Sequence, residues 1–99
     1  MTLRHVVAWK LKTEDEAERR AQAQRIADSL NALRGVVPAL IDITVGPDVL
    51  GGGNWDVALV ADVADAEALQ AYQTHPAHEA VVDYVRSVVS SRVAVDFEV

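Results

Sequence analysis

Ninety-nine residues supply one domain and one core. Fifteen acidic residues against nine basic ones leave a formal charge of −6, and no Lys/Arg cluster offers a phosphate-tracking surface, which argues against nucleic acid and anionic membranes as partners. The absence of cysteine removes disulfides, thiolate chemistry and cysteine-ligated metals. With no run of roughly 20 apolar residues to span a bilayer, the expected location is cytoplasmic.

Leu3 to Leu11 alternates apolar residues with Arg4 and Lys10 and is rich in β-branched and aromatic side chains, which predicts a first strand. Its apolar run ends at Lys10 without a small-residue cleavage site, so it reads as strand rather than signal peptide. Thr13-Glu14-Asp15-Glu16 has the form of a capping box, with the Thr13 hydroxyl accepting from the N3 amide and Glu16 reaching back. Ala23, Ile26, Ala27, Leu30 and Leu33 follow helical spacing and Gly35 is a stop, so a first helix is predicted over about 14–34. Pro38 opens a second strand, Ala39 to Val45, which Gly46-Pro47 closes. Gly51-Gly52-Gly53-Asn54 lacks the glycine spacing, the lysine and the following helix of a phosphate cradle; it reads as a hairpin turn into a third strand, Trp55 to Val63. Asp65 caps a short helix carrying Ala66, Leu69 and Tyr72 on one face. Pro76 opens another, with Ala77, Val81, Tyr84 and Val88 in register, and the last strand is Arg92 to Val99.

The order is β-α-β-β-α-β with the second helical region broken in two. This is an α+β, ferredoxin-like split arrangement over residues 1–99: a four-stranded antiparallel sheet with helices on one face. Such a sheet has a second face to hide. Leu3, Val7, Trp9 and Leu11 share one parity of the first strand, while Val6 and Ala8 share the other. Val93, Val95, Phe97 and Val99 make an apolar row opposite Arg92, Asp96 and Glu98, and the third strand is apolar on both parities. Left in water, the uncovered face would be a contiguous apolar patch of several hundred Å². A homodimer through the open sheet face is therefore expected.

The stretch Tyr72-Gln73-Thr74-His75-Pro76-Ala77-His78 holds two of the three histidines. A residue before proline avoids the α region, so His75 is predicted to be extended and to act as the N-cap, with Pro76 at N1. His78 then falls at N3, where the helix dipole disfavours a second positive charge and favours the neutral, proton-accepting imidazole. Tyr72 lies one turn before the break, within reach of a developing enolate or of His78. His5 shares its parity with Val7 and Trp9 and faces inward. Core packing for Tyr72, helix-start polarity for His78 and a satisfied interior histidine for His5 remain open beside the chemical readings. A metal site at His75 and His78 with Glu79 is disfavoured, since His75 lies outside the helix and no second cluster completes a shell.

The segments HVVAWKLK at 5–12, VVPAL at 36–40 and above all YQTHPAH at 72–78 resemble the stress-responsive dimeric α/β-barrel (Dabb) family over essentially the whole chain. The resemblance implies a ferredoxin-like protomer in a sheet-to-sheet dimer, forming a dimeric α/β barrel. Many members of that family have no assigned reaction. One plant member, olivetolic acid cyclase, closes a linear polyketide by aldol condensation without a cofactor. By that resemblance its catalytic tyrosine and histidine match Tyr72 and His78, and a further pocket histidine matches His5. Two other polar pocket positions of the cyclase fall at Leu30 and Val57, which implies a more aliphatic pocket here.

Three functional readings follow. The leading enzymatic one is a cofactor-independent, cyclase-like enzyme acting on a hydrophobic polyketide-like or carbonyl compound, with His78 as base and Tyr72 orienting or protonating. The others are a cofactor-free monooxygenase and a non-catalytic, small-molecule-binding or stress-associated homodimer. No cofactor and no metal is expected in any of them.

Overall fold

The computed structural model describes residues 1–99. Strand β1 (Leu3–Leu11) leads to helix α1 (Glu16–Asn31), then to β2 (Asp42–Pro47) and β3 (Val57–Val63). The helices α2 (Ala66–Gln73) and α3 (Pro76–Val88) precede β4 (Val89–Glu98). All four strands pair antiparallel in the order β2-β3-β1-β4, the split ferredoxin-like topology that the element order predicts.

Register decides which side chains meet. His5, Val7 and Trp9 of β1 lie opposite Ala61, Leu59 and Val57 of β3, and β3 in turn places Ala61 and Leu59 opposite Ile43 and Val45 of β2. This inner row packs against Ala23, Ile26, Ala27 and Leu30 of α1 in one continuous core, closed at the α1–β2 turn by Leu33 and Val37. Ile26 and Ile43 are wholly buried. The two alanines on the α1 stripe let the helix backbone come close to the sheet, so isoleucine and leucine fill the remaining depth.

Several boundaries differ from the sequence expectation, each for a local reason. Asp15, not Thr13, is the N-cap of α1: its carboxylate accepts from the Glu18 amide at 3.1 Å, while the Thr13 hydroxyl accepts only from the Asp15 amide. Aspartate caps at least as well as threonine, and starting at Glu16 leaves two acids in the first turn, favoured by the dipole. The helix ends at Asn31 rather than 34 because the chain tightens into i→i+3 bonds, Leu33 to Leu30 and Arg34 to Asn31. Gly35, at φ +80°, then turns the chain back so that the Val36 and Val37 amides both reach the Leu33 carbonyl. Strand β2 begins at Asp42 rather than Ala39, since residues 37–40 still turn, with the Leu40 amide donating to Val37. β4 starts at Val89, directly from α3, rather than at Arg92.

The edges are treated differently. On β2 the Asn31 side chain stands in for a neighbouring strand, donating to the Val45 carbonyl and accepting from the Val45 amide, both at 2.9 Å, and Arg34 donates to the Ile43 carbonyl. Filling those groups blunts an edge that would otherwise template pairing. On β4 nearly every residue is exposed. The outer face is apolar through its middle, as the parities predict: Val6 sits between Val60 and Val95, and Ala8 between Ala58 and Val93. Val95 and Phe97 are 58% and 43% exposed. Beside them Arg4 makes a two-pronged bond to Asp62, at 2.9 and 3.0 Å. No helix is long and apolar enough to cross a membrane.

Truncating Ile26 to alanine is expected to cost about 2–5 kcal/mol in urea unfolding, as large-to-small changes in sealed cores do. In the same assay Asp15→Ala costs about 1 kcal/mol and Thr13→Ala markedly less; the reverse ranking would return the cap to Thr13.

Candidate functional site

A cavity of about 500 Å³ lies where α3 stands over β1 and the start of β4. His5, Val7 and Trp9 of β1 and Leu59 of β3 line it, with Leu30 of α1 and Tyr72 and Gln73 at the end of α2. From α3 come His78, Glu79, Val82, Asp83, Val85 and Arg86, and from β4 Val89 and Arg92. The three residues singled out from the sequence, His5, Tyr72 and His78, therefore share one cavity. Leu30 lines it too; Val57 is core and does not. A second hollow, between α1 and the β2–β3 connection, holds none of them.

The break between α2 and α3 sets the geometry. His75 is extended (φ −64°, ψ 134°) and caps α3, its Nδ1 accepting from the Ala77 amide at 3.1 Å with Pro76 in the first turn, as the proline rule requires. That use occupies the ring, and no group of three or more His, Asp or Glu side chains is arranged to hold a metal. Three residues on, His78 turns back over the end of α2. Its Nδ1 lies 3.0 Å from the Gln73 carbonyl oxygen. A carbonyl can only accept, so Nδ1 carries the proton and Nε2 of the neutral ring is left with a free lone pair. The Tyr72 and His78 ring centroids are 4.4 Å apart at an interplanar angle of 54°.

Tyr72 is 1% exposed, yet its hydroxyl is buried with no hydrogen-bond partner. Burial pushes its pKa up to about 12, so it is a neutral donor at any physiological pH. His78 shifts the other way. Desolvation lowers its pKa below 6.5; the Gln73 carbonyl and Glu79 oppose this, and the neighbouring His5 and Arg86 add to the lowering. Both groups are thus held uncharged, one as donor and one as acceptor.

His5, 4% exposed, is the one buried polar residue of the core, and its Nδ1–H donates to the Asp96 carboxylate directly across the β1–β4 ladder. This carboxylate fixes the ring and its tautomer, leaving Nε2 on the other side. Sequence reasoning missed Asp96. Its signal was present in the polar parity of β4 (Arg92, Asp96, Glu98), but pairing with His5 needs a register that the sequence does not state. Arg86 and Arg92 were missed as well, because a lone arginine on a helix or strand reads as solvated surface.

The family model for the Stress responsive A/B Barrel Domain (Dabb) matches residues 3–99. Among solved structures, a dimeric protein of unknown function and ferredoxin-like fold from Bacteroides fragilis superposes with a TM-score of 0.92 at 25% identity, covering 99% of this chain and 96% of that one. A dimeric ferredoxin-like protein of unknown function from Thermobifida fusca is 30% identical, with a TM-score of 0.84 and coverage of 100% and 92%. A Dabb family protein from Mesorhizobium loti, 18% identical over 99% of this chain and 96% of its own, shares the fold with a TM-score of 0.76. No curated protein sequence matches the chain.

The His78 environment generates a pH dependence with a definite sign. Because folding lowers this pKa from 6.5, the folded state binds fewer protons than the unfolded chain just below that value. Stability from His78 is therefore full above pH 6.5 and is lost as pH falls through the folded-state pKa. Urea midpoints of wild type are expected to fall across this window and those of His78→Gln to fall less; an NMR titration of the His78 ring at or above 6.5 would contradict the assignment.

Proposed function

The chain belongs to the Dabb stress-responsive A/B barrel family, and we propose that its cavity is a cofactor-independent acid–base site for a hydrophobic carbonyl compound, of the aldol or polyketide-cyclising class. The observation that carries this reading is the pairing of an orphaned, buried tyrosine hydroxyl with a neutral histidine whose Nε2 is free. A buried hydroxyl without a partner costs about 1–3 kcal/mol, and a ligand carbonyl seated on it would recover that cost.

The chemistry then follows from the protonation states. Nε2 of His78 takes a proton from the carbon next to the ligand carbonyl, and the electron pair moves onto the oxygen as the Tyr72 O–H donates to it. The enolate carbon attacks a second carbonyl of the same molecule, forming a C–C bond and an alkoxide that receives the proton back from His78. Tyr72, held protonated by burial, stabilises charge on oxygen without competing as a base. His5, locked by Asp96, acts as a positioning residue beside this pair. The aliphatic lining of Val7, Leu30, Leu59, Val82 and Val85 excludes water and suits an apolar chain.

The working unit in this proposal is a homodimer through the outer sheet face. The exposed row of Val60, Val93, Val95 and Phe97 supports it, as does the description of the Bacteroides and Thermobifida proteins as dimeric.

Turnover of a poly-β-keto substrate is expected to fall about 10²–10⁴-fold in His78→Ala and about 10²-fold or more in Tyr72→Phe, with the dimer intact by light scattering. Unchanged turnover in His78→Ala removes the base. Saturable binding with no turnover in wild type leaves a binding protein. Val95→Asp is expected to give a concentration-independent monomer, and a dimer that persists moves the interface elsewhere.

A further inference from the structure

The arginines of this chain are almost all engaged. Arg4, Arg19, Arg20 and Arg34 each pair with a carboxylate, and Arg25 lies over the Tyr84 ring at 3.6 Å. The two left over, Arg86 and Arg92, both line the cavity. Arg86 comes from the last turn of α3, and Arg92 lies opposite Trp9 in the β1–β4 ladder, on the side of the sheet that faces the helices. Glu79 and Asp83 line the same cavity, and neither is within ion-pair distance of these guanidiniums. In a chain with fifteen acidic residues and a formal charge of −6, two unpaired guanidiniums, both on exposed residues, line one cavity.

Where α3 begins, the cavity holds the neutral Tyr72–His78 pair, with Glu79 beside it. Tyr72, 1% exposed, lines this part of the cavity, and its buried hydroxyl is a donor without a partner. Val7, Leu30, Leu59, Val82, Val85 and Val89 supply the aliphatic lining. We propose that the cavity takes a carboxylic acid, seated with a carbonyl on the Tyr72 hydroxyl and its carboxylate held at the mouth by Arg86 and Arg92. The planar guanidinium fork matches a carboxylate in two parallel bonds, which a lysine point charge cannot do. The carboxylate fixes direction: it sets the apolar body against the aliphatic lining and the carbonyl beside His78. This inference rests on the cavity being the site for a carbonyl compound, and it adds the anionic group that selects among such compounds.

The test is a ¹H–¹⁵N NMR titration of the full chain with two probes of one skeleton, 4-oxo-4-phenylbutanoate and its methyl ester. The spectrum reports folding at the same time as binding. Wild type is expected to bind the acid at least tenfold tighter than the ester, with shifts at the Tyr72 and His78 amides for both. Arg86→Gln/Arg92→Gln is expected to bring the ratio to about one while leaving ester affinity unchanged. Lys12→Gln/Arg20→Gln, which removes the same charge elsewhere, keeps the preference. Equal affinities in wild type, or a preference that survives in Arg86→Gln/Arg92→Gln, overturn the carboxylate inference and leave the carbonyl site standing. No shifts at those amides with either probe remove both.

Discussion

The arrangement of this molecule depends on an apolar inner sheet face that stops short of its last strand. β2, β3 and β1 present Ile43, Val45, Leu59, Ala61 and Val7 to the helices, and α1 settles on them through Ala23, Ile26, Ala27 and Leu30. β4 presents Arg92, Ala94 and Asp96 on the same side, in register with Trp9, Val7 and His5. A helix gains little by packing on a charged row and loses by desolvating it. α3 therefore spans β1 with a gap beneath, and that gap is the cavity. The polar groups of the site sit at the seam where burial ends.

At that seam the protein holds two ionisable rings neutral by different means. Tyr72 is simply desolvated. His78 is desolvated too, with Arg86 also opposing its protonation, while the Gln73 carbonyl fixes its tautomer by accepting from Nδ1–H. Two histidines three residues apart serve different purposes because of the proline between them. Pro76 forces His75 out of the helix, where its ring caps Ala77, and starts the helix so that His78 lies in the first turn, over the end of α2. A helix continuing unbroken from α2 would carry both rings in a different direction. The third histidine is stabilised from the sheet instead, by a carboxylate from the neighbouring strand.

The outer face follows the same logic with the opposite outcome. There the apolar surface runs through β3, β1 and β4 without interruption, and the only charged pair nearby, Arg4 with Asp62, is self-satisfied. Burying that face against another sheet leaves no unpaired charge in the middle. The edges are biased accordingly, with β2 closed by Asn31 and Arg34 and β4 left open.

Strand parity, helical spacing, capping residues and the His-Pro break are properties of neighbours in the chain, and the sequence by itself determined what depends on them. That covers the element order, the ferredoxin-like topology, the two-faced sheet, His75 as cap, and an inward His5. Boundaries slipped where two local signals competed, as Asp15 over Thr13 and the tightened turn before Gly35 show. Tertiary structure alone decided which distant residues meet: Asp96 reaches His5 across a ladder whose register depends on every paired residue at once, and Arg86 and Arg92 line one cavity only because α3 and β4 flank the same gap. Contacts of that kind come from closing the sheet rather than from any short stretch of chain, so their identity is absent from local pattern even when each residue type is in plain view.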